Sequence, residues 1–208
     1  MSKKTKRPED REFGYKFLTA FMRPAFKLWY NPKIIGEEKI PAEGSIVIAG
    51  NHKHVYDQCL TIMATKRVIH YMAKKEYFDG KLAPLFRAAG CIPVDRGRKD
   101  LNSAMSAMKV LRKDGAIGIF PEGTRNKTDE FLLRFKTGTV SMAKKTGAYI
   151  VPFGLTGDYK FRSKNLCVRY GEPFKVDDMT IEEANQKLHD EVEKLMRENL
   201  EEEQGEKA

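Results

Sequence analysis

The sequence predicts an α/β fold: one domain with a mostly parallel sheet covered by helices, preceded by an amphipathic helical segment. Three observations carry this. The 208 residues have the length of a single domain, and a hydrophobic content of 41% is enough for a real core. Beyond residue 44 short, continuously apolar runs recur, and helical patterns separate several of them. Strands apolar on both faces belong in a sheet covered on both faces.

In the first element, Glu12, Lys16, Thr19, Arg23 and Lys27 recur at helical spacing, while Phe13, Phe17, Leu18, Phe21, Met22, Phe26, Leu28 and Trp29 fill the remaining arc. Pro24 lies inside the pattern and predicts a kink or a split into two short helices. A wide apolar face with a basic stripe suits either packing on the domain's own core or docking at a membrane interface. After the turn-rich "EEKIPAEGS", the strand Ser45 to Ala49 opens the α/β body. Further strands are expected in "RVIHYMA", "CIPVDR", "AIGIFPEGT", "YIVPFGLTG" and "LCVRYGEP". A helix is expected from Leu101 to Lys113, with Leu101, Ala104, Met105, Met108 and Leu111 on one face and Gly115 as the stop. The last helix runs from about Ile181 to Glu203, opened by a capping box of Thr180 and Glu183. The chain thus divides into residues 1–33, a basic amphipathic segment; 34–203, the α/β domain; and 204–208, the end of an "EEEQGEKA" stretch expected to fray.

Residues 182 to 208 carry four basic and ten acidic side chains; with +9 for the whole chain, residues 1 to 181 stand at +15. That excess predicts an anionic partner, whether nucleic acid, a membrane surface or a phosphorylated small substrate. Cys59, Cys91 and Cys167 are widely spaced and sit in apolar segments, as expected of buried thiols in a reducing compartment. No CxxC or HExxH pattern occurs, so no structural metal is expected. Behind "MSKKTKRPEDREFG" there is no apolar run long enough for a signal peptide, and no segment approaches the ~18 apolar residues of a membrane span. Any contact with a membrane is expected to be peripheral.

Ligand sites in open α/β sheets lie beyond the carboxyl ends of the strands. Two polar clusters fall there: "GNHKHVYD" after the first strand of the body and "FPEGTR" after "AIGI". A neutral imidazole at His52 can take a proton from a hydroxyl if its other nitrogen is held by an acceptor, and Asp57 is placed to be that acceptor. The plainer alternative is a surface histidine and an aspartate that favours a helix N-terminus. In the second cluster Gly123 lets backbone approach a ligand, Thr124 adds a hydroxyl and Arg125 a guanidinium suited to phosphate oxygens. Lys74 and Arg96 also stand at strand ends, so several cations can surround one anion. His54, His70 and His189 have no comparable carboxylate.

Together these residues resemble the 1-acylglycerol-3-phosphate acyltransferase family, the PlsC-like glycerolipid acyltransferases, over nearly the whole chain. "NHKHVYD" resembles the family's first block, "GCIPVDR" the second, "FPEGTR" the third and "IVPFGLTG" the proline-centred fourth; "YMAKKEYF" resembles its Ala-Lys-x-Glu stretch at Ala73, Lys74 and Glu76. The resemblance implies acyl transfer from a thioester to the sn-2 hydroxyl of lysophosphatidic acid, with His52 as general base and Asp57 orienting it. It implies phosphate binding by Lys74, Arg96 and Arg125, a loop shaped by Gly123 and Thr124, and a Glu122 that orders this loop. There is no G-x-S-x-G elbow and no cysteine beside a histidine, so no covalent intermediate is expected. The implied co-substrate is a thioester of coenzyme A or acyl-carrier protein, with no cofactor. The implied partners are lysophosphatidic acid, a phospholipid surface and acyl-carrier protein, and with no signal peptide or span in the sequence the expected place is the cytoplasmic face of a membrane. Another lysophospholipid or glycerol 3-phosphate as acceptor stays open. A non-enzymatic protein binding nucleic acid or anionic membranes would explain the charge but not the two clusters, and aromatic and basic residues form no nucleic-acid platform.

Overall fold

A computed structural model describes residues 12–95 and 100–205. Seven strands form one sheet in the order β1-β7-β6-β2-β5-β3-β4, where β1 is Lys33–Ile35, β2 Ile46–Gly50, β3 Ile69–Lys74, β4 Ile92–Val94, β5 Ala116–Ile119, β6 Tyr149–Thr156 and β7 Cys167–Tyr170. Every neighbouring pair is parallel except β6 and β7, which run antiparallel. The expected strands are present, trimmed by a few residues. The three-residue β1 was not anticipated, because "KII" is too short to give a pattern.

All five residues of β2 are buried. Its side chains alternate across the sheet. Val47 and Ala49 face a core built with α4 (Leu101–Leu111), α5 (Gly138–Thr146) and α6 (Ile181–Gly205), whereas Ile46 and Ile48 face a second core that includes Phe26 of α1 (Glu12–Tyr30) and Leu60 of α2 (Asp57–Ala64). Hence the uninterrupted apolar run in the sequence. A short helix, α3 (Ala83–Ala88), precedes β4.

The helix ends follow local chemistry. Asp100 caps α4, accepting the Ser103 N–H at 3.0 Å. Thr180 and Glu183 form the reciprocal capping box of α6: the Thr180 N–H reaches the Glu183 carboxylate at 2.8 Å and the Glu183 N–H reaches the Thr180 hydroxyl at 3.2 Å. Such a cap contributes about 1 kcal/mol. α6 lies close on β6, where a Cβ at Gly154 would meet the Met196 backbone nitrogen at 2.7 Å; Asn199 donates to the Gly154 carbonyl. Ion pairs from Arg169 and Lys33 to Glu202 tie down the end of α6, so it continues to Gly205 where fraying was expected. Residues 206–208 of the expected tail, and the first eleven residues, lie outside the described residues.

Of the two outcomes expected at Pro24 of α1, a kink or a split, the split does not occur. Pro24 sits inside one continuous helix rather than splitting it. The helix is held from outside itself: Tyr15, Thr19 and Phe26 are buried against the body, and the Arg23 guanidinium, one residue before the proline, donates to the carbonyls of Ile62 and Thr65. The opposite side carries Phe13, Phe17, Phe21 and Leu28, each more than half exposed. Core packing and an outward apolar surface are both present, on different sides of the same helix.

Candidate active site

β2 and β5 are parallel neighbours, with Ala49 opposite Ile119, so the residues after each leave the sheet side by side at its carboxyl edge. His52 and Phe120 are thereby brought into contact, their rings stacked at 4.0 Å and 11°. Asn51, buried just beyond the end of β2, uses its side-chain amide as a strand would use backbone: Oδ1 accepts the Leu155 N–H at 2.7 Å and Nδ2 donates to the Leu155 carbonyl at 3.0 Å. The chain is pinned to β6 one residue before His52.

The residues between His52 and Asp57 form no helix. Instead α2 begins at Asp57, and the preceding backbone wraps around that side chain. Asp57 is wholly buried. Its Oδ2 accepts the backbone N–H groups of Lys53 (2.7 Å) and His54 (2.8 Å) and lies 2.7 Å from Nδ1 of His52; its Oδ1 accepts the Tyr159 hydroxyl at 2.6 Å. A carboxylate is acceptor-only, so Nδ1 carries the proton and the Nε2 lone pair stays free. Nε2 has no partner among the described residues.

His52 lines a cavity of about 260 Å³ with Met72, Val94, Ile119, Phe120, Pro121, Gly123, Gly138 and Thr139, and with the charged groups Asp95, Asp100 and Lys136. Asp100 accepts the Asp95 N–H and bonds to Ser103, which holds its carboxyl down at about 2. Lys136 forms no ion pair among the described residues, and its Nζ approaches Gly123 so closely that a Cβ there would lie 2.7 Å away. Gly123 also has a φ of +73°, a left-handed conformation that favours glycine, whereas the end of the Lys136 side chain could move aside for a Cβ.

Glu122, 4% exposed, bridges the two clusters. One oxygen accepts the His52 backbone N–H at 2.5 Å and the other the Leu133 N–H at 3.2 Å. Burial pushes its carboxyl up to about 7, against the lowering effect of those two N–H groups, and the nearby Asp57 charge raises it further.

The remaining sequence candidates are placed differently. Thr124 and Arg125 are exposed in the loop after Gly123 and are not on the cavity wall. Lys74 ends β3 opposite Val94, a cavity residue, and is ion-paired with Glu76 at 2.8 Å. Arg96 lies outside the described residues. The sequence reading missed Asn51, Lys136 and Tyr159. Lys136 had a local signal, a lysine two residues before a Gly-Thr helix start; Tyr159 had none. Burial pushes the thiols of Cys59 and Cys91 up to about 12, which makes neither a ready nucleophile. Among the described residues no three His, Cys, Asp or Glu side chains could hold a metal ion.

The family model named Acyltransferase matches residues 31–156, from just before β1 to the end of β6. The chain belongs to the acyltransferase family. This acyltransferase is 31% identical over 165 residues to the 1-acyl-sn-glycerol-3-phosphate acyltransferase of Bacillus subtilis, covering 76% of this chain and 81% of the relative. It is 33% identical over 141 residues to the enzyme so named in Borreliella burgdorferi, covering 66% of this chain and 56% of the relative. The crystal structure of the 1-acyl-sn-glycerophosphate acyltransferase PlsC from Thermotoga maritima matches with a TM-score of 0.72 over 88% of this chain and 78% of that one. At 22% identity that likeness speaks for the fold.

The raised Glu122 carboxyl has a consequence for stability. The folded state holds this proton more tightly than the unfolded chain does, so protonation stabilises; the effect is full below pH 4.5 and lost as pH rises through 7. At ~1.4 kcal/mol per pH unit the swing is about 3 kcal/mol. Urea unfolding at pH 5 and pH 8 should show wild type losing more stability over this interval than Glu122→Gln, which cannot ionise; equal losses would show that Glu122 does not titrate there.

Proposed function

We propose that this acyltransferase moves the acyl group of a thioester onto the sn-2 hydroxyl of lysophosphatidic acid, giving phosphatidic acid. The observation that carries the reading is His52 on the cavity wall, with Nδ1 held by buried Asp57 and Nε2 free. The names of the relatives support the acceptor. Nε2 takes the proton of the acceptor hydroxyl as that oxygen attacks the thioester carbonyl. The tetrahedral intermediate then collapses and expels the thiolate. A free thiol has a pKa of about 8.5, so the leaving group needs little protonation, and the imidazolium can return its proton to it. The Asp57 charge stabilises that imidazolium.

Lys136 on the cavity wall, with Arg125 and Lys74 beyond it, supplies positive charge for the acceptor phosphate; Lys74 must exchange Glu76 for it. Arg96 is retained in this role from the sequence. Gly123 keeps the loop close to Lys136, and Glu122 couples the loop to His52. The donor is an acyl thioester of coenzyme A or acyl-carrier protein, and no cofactor is required.

The acceptor's chain lies in a bilayer, and the outward side of α1, with Phe13, Phe17, Phe21 and Leu28 beside Lys16 and Lys27, suits an interfacial helix. Residues 1–33 thus serve as the membrane-docking segment, 34–203 as the catalytic domain, and the enzyme sits peripherally at the cytoplasmic face. No described helix is long and apolar enough to cross a membrane.

Thiol release from palmitoyl-coenzyme A or an acyl-carrier-protein thioester should require lysophosphatidic acid and should fall by at least about a thousandfold in His52→Ala; near-normal release by the folded variant would remove the base assignment. Replacing Phe17 and Phe21 by Ser should weaken binding to anionic vesicles by roughly tenfold or more without lowering the thermal midpoint. Undiminished sedimentation with vesicles would reject α1 as the docking element.

A further inference from the structure

Residues 157–166, between β6 and β7, reach in two directions. Inward, the Tyr159 hydroxyl donates to Asp57 Oδ1, the carboxylate oxygen that His52 does not use. The Tyr159 ring stacks on His54 at 4.4 Å and meets Tyr30 of α1 edge-on at 5.6 Å, while the Lys53 ammonium donates to the Gly157 carbonyl. Outward, Phe161 is 62% exposed and stands edge-on at 4.9 Å to Trp29 of α1, itself 56% exposed. The Arg162 N–H donates to the Trp29 carbonyl at 2.8 Å, and Arg162 adopts a left-handed φ of +48° to do so. Lys160, Arg162 and Lys164 stand against one acid, Asp158, which pairs with Lys160 at 3.6 Å.

Two solvent-facing aromatic rings, on a loop and helix end whose loop carries three cations and one acid, are costly in water and complementary to an anionic lipid surface, where rings sit at headgroup level and each cation near the surface contributes about 1 kcal/mol. The same loop supplies one of the four hydrogen bonds that hold the Asp57 carboxylate.

We propose that residues 157–166 are a second bilayer-contacting element, and that Tyr159 is the positioning residue through which seating on anionic phospholipid orders the His52–Asp57 pair. Phe161 and Trp29 enter the interface together; Arg162 and Lys164 face headgroups. The inference rests on the acyltransferase reading for its catalytic half only.

Trp29 is the chain's single tryptophan, so its emission reports this contact without labelling. On vesicles of phosphatidylcholine with phosphatidylglycerol, full-length protein should show a blue-shifted emission, quenched by lipids brominated in the acyl chain. Phe161→Ser should weaken vesicle binding by roughly tenfold. Tyr159→Phe should bind and fluoresce as wild type, yet lose about tenfold in kcat at unchanged KM. On saturating vesicles Phe161→Ser should also lower kcat, and the double variant should lose no more than Tyr159→Phe alone. Unquenched Trp29 on bound protein, a Tyr159→Phe kcat equal to wild type, or additive losses in the double variant would each overturn the proposal. Absence of acceptor-dependent turnover in wild type would instead reject the acyltransferase reading, and the quenching result would still decide the bilayer contact.

Discussion

The structure is organised around a carboxylate with no access to water. Moving such a group out of solvent costs several kcal/mol unless its oxygens are satisfied. At Asp57 four donors converge: two consecutive backbone N–H groups, an imidazole and a phenol. Each makes a demand on the fold. The backbone donors require the turn between β2 and α2 to close on its own helix start. The imidazole requires His52 to face back toward that turn. The phenol requires a loop more than a hundred residues further along the chain to return to the same edge of the sheet, which it does because β6 lies beside β2.

β2 is therefore the reference from which the site is measured. It is flanked by β6 on one side and β5 on the other. Asn51 clamps its exit to β6, and Glu122, from the loop after β5, takes the backbone N–H of the next residue. Between these two restraints His52 has little freedom, and the stacked Phe120 ring fixes the plane of its imidazole. Catalysis by a general base needs that preorganisation.

The parts legible in the sequence were those whose physics is local. Apolar runs such as "IVIA" gave the buried strands, and Thr180 with Glu183 gave a helix start. His52 and Asp57 were readable because they lie five residues apart in one short polar stretch at the end of a strand. Tyr159 was not readable: a tyrosine in a polar loop gains its meaning from a partner 102 residues away. Asn51 looked like part of a motif, and only the β2–β6 register shows what it replaces. At Pro24 the helix does not split, because burial of Tyr15 and Phe26 and the anchoring of Arg23 hold it together around one missing helix hydrogen bond. The antiparallel β6–β7 pair depends on how the loop between them folds, which periodicity does not encode.

The proposed chemistry depends on Asp57 holding His52 in the tautomer that leaves Nε2 free. Asp57→Asn keeps the shape of the side chain but presents an amide in place of one acceptor oxygen, so the imidazole can settle in the wrong tautomer and loses the charge that stabilises its protonated form. The most direct measurement is acceptor-dependent thiol release by Asp57→Asn beside its thermal unfolding. The expected result is a folded protein whose turnover is lower by roughly a thousandfold to ten-thousandfold. A folded variant within tenfold of wild type would contradict it.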